Sequence, residues 1–205
     1  MVSGFDTKGI NVAQPNVLIA RNFVTGGRIG IVAYDPYIVA NVVTQFYDVG
    51  IQANGHSGWQ ALVANNTVVS IAGENQQIPP AYCLFAYDTT GEYVNNIVSG
   101  CKVGMGGFGN DPNNVWDSNL SWRNSAMYRF GRPELNTTVN TLTSDLQFVA
   151  SDPRGARSWA VATASPGKDL SGYTEPNFGA PFGFDFLKNP RSTPPAVGAF
   201  EPGSK

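Results

Sequence analysis

The stretch Gly30-Ile31-Val32-Ala33-Tyr34-Asp35-Pro36-Tyr37-Ile38-Val39-Ala40-Asn41-Val42-Val43 decides how this chain folds. It holds short β-branched runs separated by turn residues, and it closes on an Asn followed by an apolar pair. Both ends recur along the chain. The opening returns as Gly9-Ile10-Asn11-Val12 and Gly50-Ile51-Gln52-Ala53, and with the Gly replaced as Cys83-Leu84-Phe85-Ala86 and Lys102-Val103-Gly104-Met105. The closing motif returns at Asn22, Asn66, Asn96 and, more loosely, Asn119, so its successive intervals are 19, 25, 30 and 23 residues. Each unit is a short strand, a turn, a second short strand ending at the Asn motif, and a variable loop. A unit of ~20 residues is too small to close a core of its own, so units must stack.

Stacking at a parallel spacing of ~4.8 Å pairs each strand with its equivalents above and below. Ile10, Ile31, Ile51, Leu84 and Val103 then point inward at one level, with Val12, Ala33, Ala53, Ala86 and Met105 inward two residues later. The pattern predicts an all-β chain: a right-handed parallel β-helix of about five coils over residues 1–125, with a last coil and an irregular capping segment over 126–205. No sustained helical period opposes it. A β-sandwich also has short, regularly spaced strands, but it does not predict an Asn motif returning in register. Asn22, Asn41, Asn66 and Asn96 read as structural: an Asn at a turn can adopt the left-handed conformation and bond neighbouring backbone, and stacked Asn side chains can form a ladder. Asn65, Asn119 and Asn136 also begin N-x-S/T triplets, read as chance matches.

Composition narrows the function classes. The 205 residues carry 13 Lys+Arg and 15 Asp+Glu, for a net charge of −2. That leaves no basic field for nucleic acid. No apolar run is long enough to span a membrane, and the segment MVSGFDTKG shows no signal-peptide core. With one His and two Cys, no metal site or cofactor is expected. Cys83 and Cys101 fall in adjacent coils one position out of register; a disulfide is open to them, and two buried thiols are the expected state. Gly104-Met105-Gly106-Gly107-Phe108-Gly109 reads as a tight turn rather than a phosphate loop, because no helix follows. Trp116, Trp122, Arg123 and Tyr128 read as packing beneath the cap.

The final third carries a resemblance. Ser144–Val149 reads as a strand, followed by Asp152-Pro153, Ala164-Ser165-Pro166-Gly167-Lys168-Asp169, Asp185-Phe186-Leu187-Lys188-Asn189-Pro190-Arg191 and Ala196-Val197-Gly198-Ala199-Phe200-Glu201. This ordered set resembles the closing segment of parallel β-helix proteins of the pectate-lyase-like superfamily. There a D-x-x-G-x-P-R turn and a V-D-I-G-A-F/Y-E tail recur; here Lys188 stands at the Gly. The resemblance implies the β-helix fold and is nearly silent about chemistry, since the superfamily includes lyases, hydrolases, epimerases, adhesins and phage spike domains. It also implies an extracellular or surface setting. Phe148, Phe178, Phe182, Phe184, Phe186 and Phe200 are expected to cover the C-terminal end of the solenoid. The N-terminal coil has no capping helix before it, so the expectation is either that the chain is a piece of a longer protein or that a second copy or a partner chain covers this end.

Stacking also gathers polar groups. Tyr34-Asp35 and Tyr87-Asp88 occupy equivalent positions two coils apart, with Asn54-Gly55-His56 in the coil between. Two rungs put the carboxylates ~9.5 Å apart, at the upper edge of the separation used by inverting glycosidases. Asp35, Asp88 and His56 are therefore the catalytic candidates. Tyr34, Tyr87 and Trp59 are candidates to stack on sugar rings, with Asn54 as a polar contact. The first functional expectation is a domain that binds a polysaccharide or other glycan, as part of a larger surface or spike-type assembly. The second is a polysaccharide hydrolase or lyase using these carboxylates. The third is a structural solenoid piece completed by another chain.

Overall fold

The computed structural model describes residues 1–3, 7–55, 60–70, 79–109, 113–139, 143, 184–191 and 198–200. After β1 (Val2–Ser3), the chain follows one three-sided path about five times. The first coil is β2 (Lys8–Val12), β3 (Leu18–Ala20) and β4 (Phe23–Thr25); the second is β5 (Ile29–Tyr34), β6 (Tyr37–Val39) and β7 (Val42–Thr44). The third is β8 (Val49–Asn54), β9 (Gln60–Ala64) and β10 (Thr67–Val69); the fourth is β11 (Tyr82–Tyr87), β12 (Thr90–Val94) and β13 (Ile97–Ser99). The fifth is β14 (Val103–Phe108), β15 (Asn114–Asp117) and β16 (Leu120–Trp122), and β17 (Ala126–Phe130) and β18 (Asn136–Val139) begin another turn. Equivalent strands pair in parallel into three six-stranded sheets. Sheet I is β2-β5-β8-β11-β14-β17, sheet II is β3-β6-β9-β12-β15-β18, and sheet III is β1-β4-β7-β10-β13-β16. The parallel β-helix expected from the repeat is the observed fold.

The Asn motif turns the corner between sheets II and III, where its side chains form a continuous ladder. The Oδ1 of Asn41, Asn66, Asn96 and Asn119 each accepts from the backbone N–H of the Asn one coil earlier, at 2.9 Å in every case. The sequence separations are 19, 25, 30 and 23 residues, the same intervals as the motif. Each Nδ2 reaches back to a core carbonyl, as Asn66 does to Ile38 (2.9 Å) and Asn96 to Val63 (2.8 Å). The left-handed residue is the one before each ladder Asn: Arg21, Ala40, Asn65, Asn95 and Ser118, with φ between 52° and 57°. That residue makes the bend, which leaves the Asn free to point inward.

The inward apolar columns run as expected through four coils, pairing Ile10, Ile31, Ile51 and Leu84. In the fifth coil the register differs from the expected one by two residues. Met105 pairs with Leu84, and Gly107 with Ala86. The reason is space at the preceding position. A Cβ on Gly30 would lie 2.3 Å from Val43 Cγ1 and 2.6 Å from the Gly50 carbonyl oxygen. Gly104 fits that column and Lys102 does not. Residues 104–108 are accordingly strand rather than turn. Cys83 breaks the column, and its sulfur is bonded to Cys101, with Cα atoms 5.7 Å apart. The expected pair of free thiols is thus a disulfide. The offset that spoils alignment within a sheet is harmless here, because Cys101 sits in the corner after Gly100 (φ 80°), where the chain turns inward.

The described part of the tail lies on the side of the solenoid. Phe186, Leu187, Ala199 and Phe200 pack against Phe23, Val42 and Val69 on the outer face of sheet III. Gly198 N–H donates to the Asn95 carbonyl (2.9 Å) and Ala199 N–H to Thr67 Oγ1 (3.0 Å). Phe186 and Phe200 were expected over the C-terminal end; sheet III offers them an apolar face instead. Phe148, Phe178 and Phe182 and the segments 144–149, 152–153 and 164–169 lie outside the described residues. Asp185 is buried and accepts from the N–H groups of Leu187 (2.9 Å) and Asn189 (2.8 Å). Lys188 takes φ 68°, the conformation a Gly would adopt at that point of the turn.

Candidate functional site

The corner between sheets I and II carries the polar and aromatic side chains singled out above. Tyr34, Asn54, Tyr87 and Phe108 pair in register as one row along the edge of sheet I, in which Asn54 is buried and its Oδ1 accepts from Gln52 Nε2 (2.8 Å). The next residues, Asp35, Gly55 and Asp88, are tied rung to rung: Asp35 N–H donates to Asn54 O (2.8 Å), Gly55 N–H to Tyr87 O (2.8 Å) and Asp88 N–H to Phe108 O (2.9 Å). Asp35 (φ 39°) and Asp88 (φ 46°) both take the left-handed conformation that Asp tolerates better than most residues. Gly55 must be Gly, since a Cβ there would lie 1.5 Å from the Asp88 carbonyl oxygen.

The two Asp positions, alike in backbone, have different surroundings. Asp35 is wholly buried, while Asp88 is partly exposed. The Asp35 charge reaches Tyr93, whose ring stacks on Trp116 in the core with centroids 4.0 Å apart. Burial pushes the Tyr93 hydroxyl far above the usual tyrosine range; Thr89 pulls it back slightly and Asp35 adds to the rise. The sign follows for stability. Below pH ~10 Tyr93 is neutral folded or unfolded, and it contributes no pH dependence. Above that, the unfolded chain loses this proton and the folded chain keeps it, so stability falls by ~1.4 kcal/mol per pH unit. Tyr93→Phe is expected to remove this slope, read from urea midpoints measured across the alkaline range.

Beside the row, the outer face of sheet I carries an aromatic cluster. Phe85 lies 4.7 Å from Tyr82, 5.7 Å from Phe108 and 6.3 Å from Tyr87, centroid to centroid. Tyr87 is 49% exposed and Phe108 38%. Gly106 leaves room for the Tyr82 ring to lie across the sheet, where a Cβ would be 2.5 Å from it. Round the corner from Phe108, a small cleft with room for about one water molecule is lined by Asp88, Thr89, Asn114, Arg132 and Asn136. Asn136 is committed: its Oδ1 accepts from Trp116 Nε1 (3.0 Å), and its Nδ2 donates to the Arg132 carbonyl (2.8 Å). Asn114 pairs with it across the rung, is 6% exposed, and has an Oδ1 with no hydrogen-bond partner.

The structure therefore brings Tyr34, Asn54, Tyr87 and Asp88 to one corner and places Asp35 beneath it. His56 and Trp59 lie outside the described residues. Trp116 and Tyr128 pack in the interior, and Arg123 stacks on Trp122 at 4.1 Å from the ring centroid. Asn65 and Asn119 of the N-x-S/T triplets are buried (3% and 0% exposed), so neither can accept a glycan in the folded chain. Sequence reasoning missed Phe85, Phe108, Asn114 and Arg132 as site residues. Strand alternation from inward Leu84 places Phe85 and Tyr87 outward and was a usable signal; nothing local marks Asn114 or Arg132. Among the described residues, no group of His, Cys, Asp and Glu is arranged to hold a metal ion, and no helix is long and apolar enough to cross a membrane. Comparison of the chain with family models, with curated proteins and with solved structures finds no match.

Proposed function

We propose that this protein binds an extended carbohydrate chain along the corner between sheets I and II. The single observation that carries this reading is the in-register row Tyr34, Asn54, Tyr87 and Phe108, backed by Phe85 and Tyr82. Such a row repeats at the rung spacing of ~4.8 Å, so the rings of Tyr34, Tyr87 and Phe108 and the tyrosine hydroxyls recur along a straight line. A linear polymer can engage them in succession, its C–H faces on the rings and its hydroxyls on the polar groups. The same proposal places the chain in the pectate-lyase-like superfamily and in a surface or spike-type assembly. The Asp185–Arg191 turn supports the first, with Lys188 in the conformation of the superfamily's Gly. The Cys83–Cys101 disulfide supports a setting outside the reducing cytosol. The enzyme reading is the weaker one, because Asp35 is wholly buried and only Asp88 reaches the cleft.

Affinity electrophoresis in gels containing polysaccharides tests the binding reading. At least one polysaccharide is expected to retard the protein. Tyr87→Ala and Phe108→Ala are each expected to weaken that retardation about fivefold, the equivalent of ~1 kcal/mol per exposed ring. Unchanged retardation in the double variant, with the far-UV spectrum preserved, would remove the row from the binding surface.

A further inference from the structure

We propose that the glycan lying on the corner row is an extended chain of β-(1→4)-linked pyranoses, gripped at every second sugar. This rests on the carbohydrate reading and names the class of polymer within it. Tyr34 and Tyr87 stand two rungs apart, with Asn54 in register between them. Asn54 is buried and its Oδ1 accepts from Gln52 Nε2 (2.8 Å), so the middle rung offers neither a ring nor a free amide oxygen. Phe108 pairs with Tyr87 one rung further on. Its ring lies over Gly131, just past β17 on the following rung: a Cβ on Gly131 would be 2.6 Å from Phe108 Cδ1 and 3.2 Å from Cε1. The rings of Tyr82 and Phe85 back it, with centroids 6.3 and 5.7 Å from that of Phe108. The apolar platforms therefore recur at about every second rung, ~9.5 Å apart, rather than at every rung.

A polymer suits this spacing when it runs straight along the solenoid axis and shows the same face at every second residue. A β-(1→4) linkage between equatorial oxygens meets both conditions. Each pyranose advances the chain by about one rung and is turned over relative to its neighbour, so sugars i and i+2 lay the same apolar C–H face on successive rings. The sugar between them faces the ringless rung of Asn54. An α-(1→4)- or β-(1→3)-glucan curves away from a straight row and reaches one platform at a time. One straight chain engages two or three platforms together, and linked weak contacts multiply.

The test is calorimetric titration of the full chain with linear hexaoses. The β-(1→4) set is cellohexaose, mannohexaose and chitohexaose; the comparison set is maltohexaose, laminarihexaose and galacturonohexaose. At least one member of the first set is expected to bind at least ~10-fold tighter than every member of the second. Its disaccharide, which covers one ring only, is expected to bind at least ~10-fold more weakly than the hexaose. Tyr87→Ala, a change at a side chain that is 49% exposed, is expected to keep the far-UV spectrum and to weaken the hexaose about fivefold. A comparison hexaose that binds as tightly overturns the inference. So does a β-(1→4) hexaose that is no tighter than its disaccharide, or one that ignores Tyr87→Ala. Retardation by a polysaccharide in gels, with no binding of any β-(1→4) hexaose, ends the inference and leaves the wider carbohydrate reading standing. No hexaose binding together with no retardation ends both.

Discussion

Asn66→Ala is expected to destabilise the protein by about 4 kcal/mol. Asn66 is fully buried at the middle of the ladder. Its Oδ1 accepts from both the backbone N–H (2.9 Å) and the Nδ2 (3.0 Å) of Asn41. Its own Nδ2 donates to the Ile38 carbonyl (2.9 Å) and to Asn96 Oδ1 (3.0 Å). Truncation orphans the Asn41 backbone N–H and the Ile38 carbonyl in a core where no residue around them is exposed. Each such group costs ~1–3 kcal/mol, and the emptied volume adds to that. Asn22→Ala is the matched control. Asn22 lies at the part-buried end of the ladder and donates to Ala20 O (3.1 Å) and Asn41 Oδ1 (3.1 Å), where water can replace it. Its removal is expected to cost ~1 kcal/mol. Urea denaturation of the three proteins reads the difference. Equal costs at the two positions would mean that the ladder is an ornament of the stacking rather than a support for it.

Removing the Cys83–Cys101 bond is expected to cost about 3 kcal/mol. The cross-link closes a loop with a sequence separation of 18 and ties the fourth coil to the corner leading into the fifth. In the chain-entropy account, a loop of this size restricts the unfolded chain by ~3 kcal/mol. For a chain of this length that is ~6–12 °C in Tm. Both residues are buried, so Cys83→Ala/Cys101→Ala leaves the interior apolar and isolates the cross-link. The melt of the wild-type protein is expected to fall by this amount in strong reductant, and the melt of the double variant to ignore reductant. Thiol labelling of the denatured, unreduced protein should find no free cysteine. Two reactive thiols and an unmoved Tm would show that the pair is not joined in solution.

Much of the fold was legible because a solenoid repeats one local problem. Asn22, Asn41, Asn66, Asn96 and Asn119 recur at uneven intervals, yet each meets the same corner, and uneven loops leave a ladder intact. The column Ile10, Ile31, Ile51 and Leu84 was legible for the same reason. The fifth coil was not, because Gly and Lys were both admitted in front of the inward residue. Only the distance from Gly30 to Val43 and Gly50 shows that the position takes nothing larger than a buried, cross-linked Cys. The tail misled in a similar way. Its aromatic residues announce an apolar docking face without saying whether that face is the end of the solenoid or its side.

By itself, the sequence determined the parallel β-helix, the Asn ladder and the in-register placing of Tyr34, Asn54 and Tyr87. Those follow from period and alternation, which act between neighbouring rungs and need no knowledge of what lies beyond them. Tertiary structure alone decided that Asp35 is buried while its equivalent Asp88 opens to a cleft, and that Cys83 finds Cys101. These outcomes depend on which side chains arrive from other coils at a given corner. Backbone register sets where a residue stands, and only the packing around it sets whether its charge meets water, a ring or nothing.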